Sequence, residues 1–310
     1  MSDGTPRDEG IWGDRTPRDE GIWGDRTPRV GGVWVEPQGP PIPRVTIVMS
    51  VFGRLELTRA CMESLRATTE PFRLAVVDNG STDDTPRFFE RFAYPYPLRW
   101  ERNETNQPVI QALNRAWTLA ETEFICVLHN DTEMREPDWL TRLLAPLADP
   151  GVGITGLYGI KRVRRDGRFV GRTIVHSLAE GPTVRPEGEE VAVIDSVVMC
   201  LPRRLMEEVG GFDEGYGFYH GLDRDLSFAV RERGRRCVTV RAEFVHHGGG
   251  TRAREFGARP DRERSDLALR RAVLDRFVAK YRHRLPCDVR PLSRRIGEWI
   301  DAKLLRRRPP

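Results

Sequence analysis

A chain of 310 residues, 39% of them hydrophobic, is long enough to bury one large core or two ordinary ones, which excludes a wholly disordered protein. Its 50 basic and 46 acidic residues are interleaved along the whole length, so the formal charge of +4 leaves no basic stripe for nucleic acid. No apolar run approaches the ~20 residues that span a bilayer, and the N-terminus lacks the charged-then-apolar pattern of a secretory signal.

Thr5 to Arg15 reads TPRDEGIWGDR, the same eleven residues return from Thr16 to Arg26, and a decayed third copy, TPRVGGVWVEP, begins at Thr27. These copies are shorter than a solenoid unit of ~20 residues and offer only Ile and Trp to bury, so they predict a disordered tail. The alternative is that Trp12, Trp23 and Trp34 are attachment points for a partner. With the Pro-rich linker Pro37 to Pro43, the tail covers residues 1–43 and leaves 44–255 as the main domain and 256–310 as a C-terminal helical extension.

Val45 to Ser50 is a β-branched strand, and Leu57, Cys61 and Leu65 then recur at helical spacing. Leu74 to Val77 forms the next strand and stops at the turn DNGSTDDTP, Asp78 to Pro86. A third strand ends near Trp100. After it Val109, Leu113, Ala116 and Ala120 mark one helical face, with Asn106 suited to its cap and Pro108 to its first turn. The apolar run Phe124 to Leu128 reads as a fully buried strand that ends abruptly in His129-Asn130-Asp131-Thr132-Glu133. Strands and helices that alternate in this way predict an α/β fold, a mostly parallel sheet flanked by helices with a Rossmann-like N-terminal half.

Leu140, Leu143, Leu144 and Leu147 give one more helix and Val152 to Leu157 another strand. Residues 160–190, charged and Gly-rich, predict a variable hairpin or loop over one side of a cleft. Val191 to Leu201 reads as one long strand, and Val238 to His246 as a β segment interrupted at Arg241-Ala242. Between them Leu222, Leu226, Ala229 and Val230 share a helical face. The chain is helical again from Asp261, with apolar positions through Tyr281, and a second short helix runs from Pro291 to Leu305. The five cysteines contain no Cys-x-x-Cys pair, and Cys126 and Cys200 lie inside apolar runs, which implies reduced thiols and a cytoplasmic protein.

In open α/β sheets, ligands bind beyond the carboxyl ends of the strands, so Asp131 is placed to hold a cation or a phosphate. Mg²⁺ typically takes one or two protein carboxylates and completes its shell from substrate phosphates. Asp78 ends the second strand beside Ser50, Val51 and Phe52. A carboxylate there can accept from a base or ribose while Phe52 offers a ring face, or it can simply cap its own turn. Asn106 stands open between helix cap and nucleotide contact.

Seven segments occur in order: VTIVMSVFGR, VVDNGSTDDT, ETNQPVIQALNRA, FICVLHNDTE, VVMCLPRRLMEEVGGFDE, GLDRDLSFAVRERG and VHHGGGT. Through them residues 44–285 resemble a family 2 glycosyltransferase of the GT-A fold, which transfers a sugar from a nucleoside diphosphate to an acceptor with inversion. The resemblance implies nucleotide-sugar contacts from Ser50, Phe52, Asp78, Asn106, Asn130 and Asp131. His129-Asn130-Asp131 occupies the place of the family's Asp-x-Asp motif, with His129 in place of the first Asp. Asp131 and His246 are the implied ligands of Mn²⁺ or Mg²⁺, imidazole tilting the choice toward Mn²⁺. His247 is the alternative to His246, since adjacent strand residues face opposite sides. Glu133 is expected near the site but not as a ligand. The Glu-Asp-x-Asp element of the family is matched from Leu222, with Asp223 as the implied base. Asp225 lies on the other flank of the apolar stripe, so at most one of the pair faces the cleft.

The expected activity is therefore a metal-dependent transfer from a nucleotide-sugar donor to a glycan, lipid-linked or small-molecule acceptor, with no nucleic-acid partner. The rival is a non-catalytic GT-A module that binds nucleotide-sugar or glycan as an assembly partner, motivated by His129 and Leu222. Leu304 to Arg308 places basic residues beside apolar ones and would suit contact with the inner face of a membrane.

Overall fold

The protein is described by a computed structural model covering residues 42–92, 97–171, 188–248 and 260–293, together with 29–30, 33–34, 173–174, 295–297 and 300. The chain divides into two units, Met1–Pro41 and Ile42–Pro310. In the first, Arg29–Val30 and Val33–Trp34 pair as an antiparallel hairpin, a strand pairing within a segment expected to carry none. The two complete repeats, and the basic segment Leu304 to Arg308, lie outside the described residues.

The second unit opens with the alternation that the sequence pattern predicts: β1 (Val45–Val51), α1 (Leu55–Ser64), β2 (Phe72–Asp78), α2 (Thr85–Arg91), β3 (Leu98–Arg102), α3 (Val109–Thr118) and β4 (Phe124–Leu128). All pairings among these four strands are parallel. β1 is buried at six of its seven positions, which requires cover on both faces of the sheet. Ile47 and Met49 join Cys61 and Met62 of α1 on one side, and Val48 joins Ile110 and Leu113 of α3 on the other.

The chain continues through β5 (Thr132–Met134), α4 (Trp139–Leu144) and β6 (Val152–Gly156). It then makes an excursion through β7 (Tyr158–Ile160), β8 (Arg162–Val163), β9 (Phe169–Val170), β10 (Thr173–Ile174), β11 (Glu189–Val191) and β12 (Val193–Ile194) before β13 (Val198–Pro202). The last part holds α5 (Arg203–Val209), α6 (Leu222–Glu232), β14 (Arg236–Thr239), β15 (Phe244–His246) and α7 (Pro260–Tyr281). Eight strands form one sheet in the order β11-β14-β6-β13-β4-β1-β2-β3, in which β13 and β11 run against the other six.

The expected single strand from Val191 to Leu201 is instead three pieces, because the run changes partner twice. Val191 pairs with Cys237, Val193 with Ile160 and Val198 with Leu128. Asp195 makes the second change of direction, its Oδ1 accepting from the Val197 N–H at 3.1 Å. α7 buries Val273, Phe277 and Tyr281 in the same core as α6, with the Phe277 ring 4.8 Å from that of Phe228. All five cysteines are free thiols, four of them buried.

Candidate active site at the carboxyl edge of the sheet

β1, β2, β4 and β6 all end at one edge, and β13, running the other way, begins there. Leu128, the last residue of β4, therefore lies opposite Val198, the first of β13. The His129 N–H donates to the Val197 carbonyl at 3.0 Å, which fixes the start of the polar segment after β4. β15 pairs antiparallel with β5, setting His246 opposite Thr132 and so beside Asp131.

His246 Nε2 lies 3.3 Å from Asp131 Oδ1, and His129 Nδ1 lies 4.0 Å from the same oxygen. The three side chains offer ligand atoms that all fall within 4.8 Å of one another. Asp131 Oδ1 is buried and makes no hydrogen bond of good geometry, a costly arrangement unless a cation takes that oxygen. Burial alone would raise the Asp131 carboxyl, but His246 and then His129 beside it hold it below its ordinary value. Burial lowers His129, against the pull of Asp131, and so favours the neutral imidazole that can ligate a metal.

The segment is fastened on both sides. The His247 N–H donates to the Asp131 carbonyl at 2.9 Å, and Asn130 Nδ2 donates to Thr58 Oγ1 at 2.9 Å. His247 itself turns away, its Nε2 2.6 Å from Glu133 Oε1, while Glu133 is also paired with Arg135. Of the two adjacent histidines, His246 is thus the one that meets Asp131.

Ser50, Phe52, Asn106, Asn130, Asp131 and His246 line one cleft of about 240 Å³. Asp78 is not among its lining residues. Its carboxylate is fully buried, Oδ1 accepting from the Ser81 N–H at 2.9 Å and Oδ2 lying 3.2 Å from Arg102 Nε. Asp78 thus caps its turn through Oδ1, while its buried Oδ2 makes no hydrogen bond of good geometry, and Asn79 stands at the cleft wall. Asn106 does not cap α3, since Pro108 stands at that position and residues 103–107 are held by Asn79 instead. Asn79 Nδ2 donates to Asn106 Oδ1 at 2.9 Å and to the Gln107 carbonyl at 2.8 Å. Its Oδ1 accepts from Asn103 Nδ2 at 2.7 Å and from the Gln107 N–H at 3.1 Å.

A second hollow adjoins the cleft and shares Ser196, Tyr219, His220 and Leu222 with it. Asp223 lines this hollow, from the first turn of α6. Burial raises its carboxyl above the ordinary range and the charge of Asp195 adds to the rise, against Arg224. The field of Asp223 in turn reaches His129, so the two groups share one electrostatic environment. Asp225, about 200° further round the helix, faces away. It accepts from Tyr216 Oη at 2.8 Å and is paired with Lys280 at 2.8 Å. Asp195, Ser196, Tyr219 and His220 escape a reading of the sequence. The only signal for the last two is the Gly-flanked run GYGFYHGLD, whose Phe218 carbonyl accepts from the Val109 N–H at 3.0 Å and ties that wall to the start of α3.

A profile described as Glycosyl transferase family 2 matches residues 46–197. The O-antigen biosynthesis protein RfbC of Myxococcus xanthus is 31% identical over 229 residues, 68% of this chain and 18% of that protein. The chain spans about a fifth of the length of that relative and a quarter of a second, from Sinorhizobium fredii, which is 28% identical. Among solved structures, a mannosyltransferase from Pyrobaculum calidifontis in complex with GDP-Man and Mn²⁺ aligns with a TM-score of 0.51 at 19% identity, over 77% of this chain and 73% of the other. S. aureus TarS, residues 1–349 in complex with UDP-GlcNAc, aligns with a TM-score of 0.51 at 17% identity, over 78% and 72%. These likenesses show a common fold of the GT-A type.

Proposed function

The chain belongs to glycosyl transferase family 2, and from that premise we propose that it moves a sugar from a nucleoside-diphosphate donor to an acceptor hydroxyl with inversion at the anomeric carbon. The observation that carries the proposal is the buried, unsatisfied Asp131 oxygen between two imidazoles, in a cleft that shares a wall with the hollow of Asp223. In this reading Ser50, Phe52, Asn106 and Asn130 receive the nucleoside and ribose. Asp78 supports them from behind through its turn. Asp131 and His246, with His129 beside them, would hold Mn²⁺ or Mg²⁺, and the imidazoles in the donor set suit Mn²⁺. When bound, such an ion supplies neutralising charge to the departing diphosphate.

Asp223 takes the acceptor hydroxyl's proton as that oxygen attacks the anomeric carbon. The bond from that carbon to the diphosphate oxygen breaks in the same displacement, and its electron pair leaves with the diphosphate. A raised carboxyl suits this task, because a base whose pKa lies nearer the working pH captures a proton more effectively. The Tyr219-His220 wall would keep water from competing with the acceptor. The acceptor is a glycan, a lipid-linked sugar or a small molecule, and the place of action is the cytoplasm or the inner face of its membrane. No described helix is long and apolar enough to cross a membrane.

A thermal-shift screen of nucleoside diphosphates and their sugars, with and without Mn²⁺, tests donor binding, and release of nucleoside diphosphate from the stabilising sugar tests transfer. Metal-dependent stabilisation with slow release supports the enzyme. Tight binding with no release on any acceptor would instead identify a non-catalytic sugar-binding module.

A further inference from the structure

We propose that the hollow beside Asp223 takes an acceptor that carries its own oxyanion, a phosphate or a carboxylate, seated among Arg168, Arg224 and Arg270. The inference rests on the transferase reading above and names the acceptor's chemical class. Three arginines line this hollow, and Asp223 is the one acidic residue among the described residues lining it. They converge from three separate elements. Arg168 leads into β9, Arg224 follows Asp223 on α6, and Arg270 comes from α7.

Arg224 is the centre of the arrangement. Its guanidinium stacks 4.3 Å from the Phe169 ring centroid and 5.5 Å from that of Phe277, and Nη1 donates to the Gly167 carbonyl at 3.2 Å. Its Nε is buried with no hydrogen-bond partner. A guanidinium held in this way, half-buried and short of acceptors, carries a desolvation cost that a bound anion would offset. Arg168 is only loosely engaged, 3.9 Å from Asp166, with both side chains well exposed, so it can re-pair without loss. Phe169, Leu222, Val273 and Leu274 add an apolar floor on which the carbon face of a sugar or polyol can lie.

The arginines also answer an electrostatic difficulty. An anionic acceptor would have to approach Asp223 and Asp195 on one side and a nucleoside diphosphate on the other, all negative. Three cations around the hollow, Arg224 held in place among them, turn that repulsion into attraction, and Arg224 sits next to Asp223 in sequence. The charge should therefore lie on the sugar or polyol unit that presents the reacting hydroxyl, not on a remote part of the acceptor.

The test is ligand-observed NMR on the whole chain, with nucleoside diphosphate and Mn²⁺ in excess to fill the donor cleft. The probes are two matched pairs, glycerol 3-phosphate against glycerol and glucuronate against glucose. At least one anionic member should bind about tenfold more tightly than its neutral partner, and the stronger pair tells phosphate from carboxylate. The double variant R168Q/R270Q, altered at two exposed positions, should weaken the anionic probes by about tenfold and leave the neutral probes unchanged. Arg224→Gln should do the same, judged at equal thermal stability. Neutral and anionic members binding within about twofold, or an anion preference that survives in R168Q/R270Q, would overturn the inference. The nucleotide and Mn²⁺ thermal shift is read in parallel: its presence without an anion preference sinks this proposal alone. An arginine-dependent anion preference without any nucleotide response upholds the site and sinks the transferase reading.

Discussion

Replacing Asp223 and Asp225 by asparagine, one at a time, should separate chemistry from stability on a single helix turn. Asp225 is 4% exposed, with Tyr216 Oη at 2.8 Å on Oδ1 and Lys280 Nζ at 2.8 and 3.0 Å from its two oxygens. Asparagine can still accept from Tyr216 but turns an amide N–H toward the ammonium. Removing one partner of a fully buried pair costs roughly 3–5 kcal/mol. Lys280 is 40% exposed and retains Asp213 at 2.9 Å, so the expected loss is smaller, about 2 kcal/mol, or a Tm lower by about 6 °C. Asp223 works in the opposite sense. Its folded pKa lies above the unfolded value, so the folded state pays no penalty below the unfolded pKa and the full penalty once pH exceeds the folded one. At neutral pH Asp223→Asn should thus leave Tm unchanged or higher while slowing transfer by about 10²–10⁴-fold. Oδ1 of the asparagine can keep the Arg224 N–H now held at 2.8 Å. The assays are donor consumption at saturating acceptor and metal, and thermal unfolding at pH 7.5. The reasoning fails if Asp225→Asn loses as much rate as Asp223→Asn, or if Asp223→Asn is the less stable of the two.

Asp195→Asn should move the acid limb of the pH–rate profile to lower pH, because the charge of Asp195 helps raise Asp223, and the base proposed for Asp223 must be unprotonated to act; an unmoved limb would deny that coupling. His129→Ala should weaken Mn²⁺ binding roughly tenfold or more by electron paramagnetic resonance of the free ion, whereas His247→Ala, turned toward Glu133, should leave it unaltered. Gly80→Ala should destabilise by at least about 2 kcal/mol, since Gly80 has φ +82° and an added Cβ would sit 2.6 Å from the backbone carbon of Thr105. Because that backbone carries Asn106, the same variant should also lose the thermal shift given by nucleoside diphosphates.

The alternating half of the fold was readable because each element there is decided by its own residues. β1 and β4 are continuous apolar runs, α1 and α3 have one apolar face each, and nothing in them depends on distant partners. The run Val191 to Leu201 is just as apolar, but where it bends depends on Cys237, Ile160 and Leu128, which local periodicity does not weigh. Motif order was enough to name Asp131, His246 and Asp223 as candidates, and the geometry brings His129, which the motif marked only as a departure, beside the first two. Asn79 was hidden because its partners stand 24 to 28 residues away and amide pairs leave no periodic trace. Asp195 acts on Asp223 across the fold, a proximity that no spacing in the sequence encodes. The arginines of the hollow beside Asp223 come from three elements and look like ordinary surface charge in a chain holding 50 basic residues.

β6 leaves the sheet at Gly156 and β13 re-enters opposite it, Met199 facing Gly156, so the intervening forty residues begin and finish at neighbouring points of the same rim. A detour whose two ends are already together costs little more when it grows, since closure entropy rises only with the logarithm of length. Of the described strands between 157 and 195, β11 alone belongs to the eight-stranded sheet, at its edge beside β14, so exchanging this stretch would replace that one edge pairing, like a tool in a fixed chuck, and leave the pairings among the other seven strands in place. Grafting that stretch from another member of the family would thus change the Arg168 and Phe169 wall of the hollow beside Asp223 and leave every described residue that lines the Asp131 cleft in place.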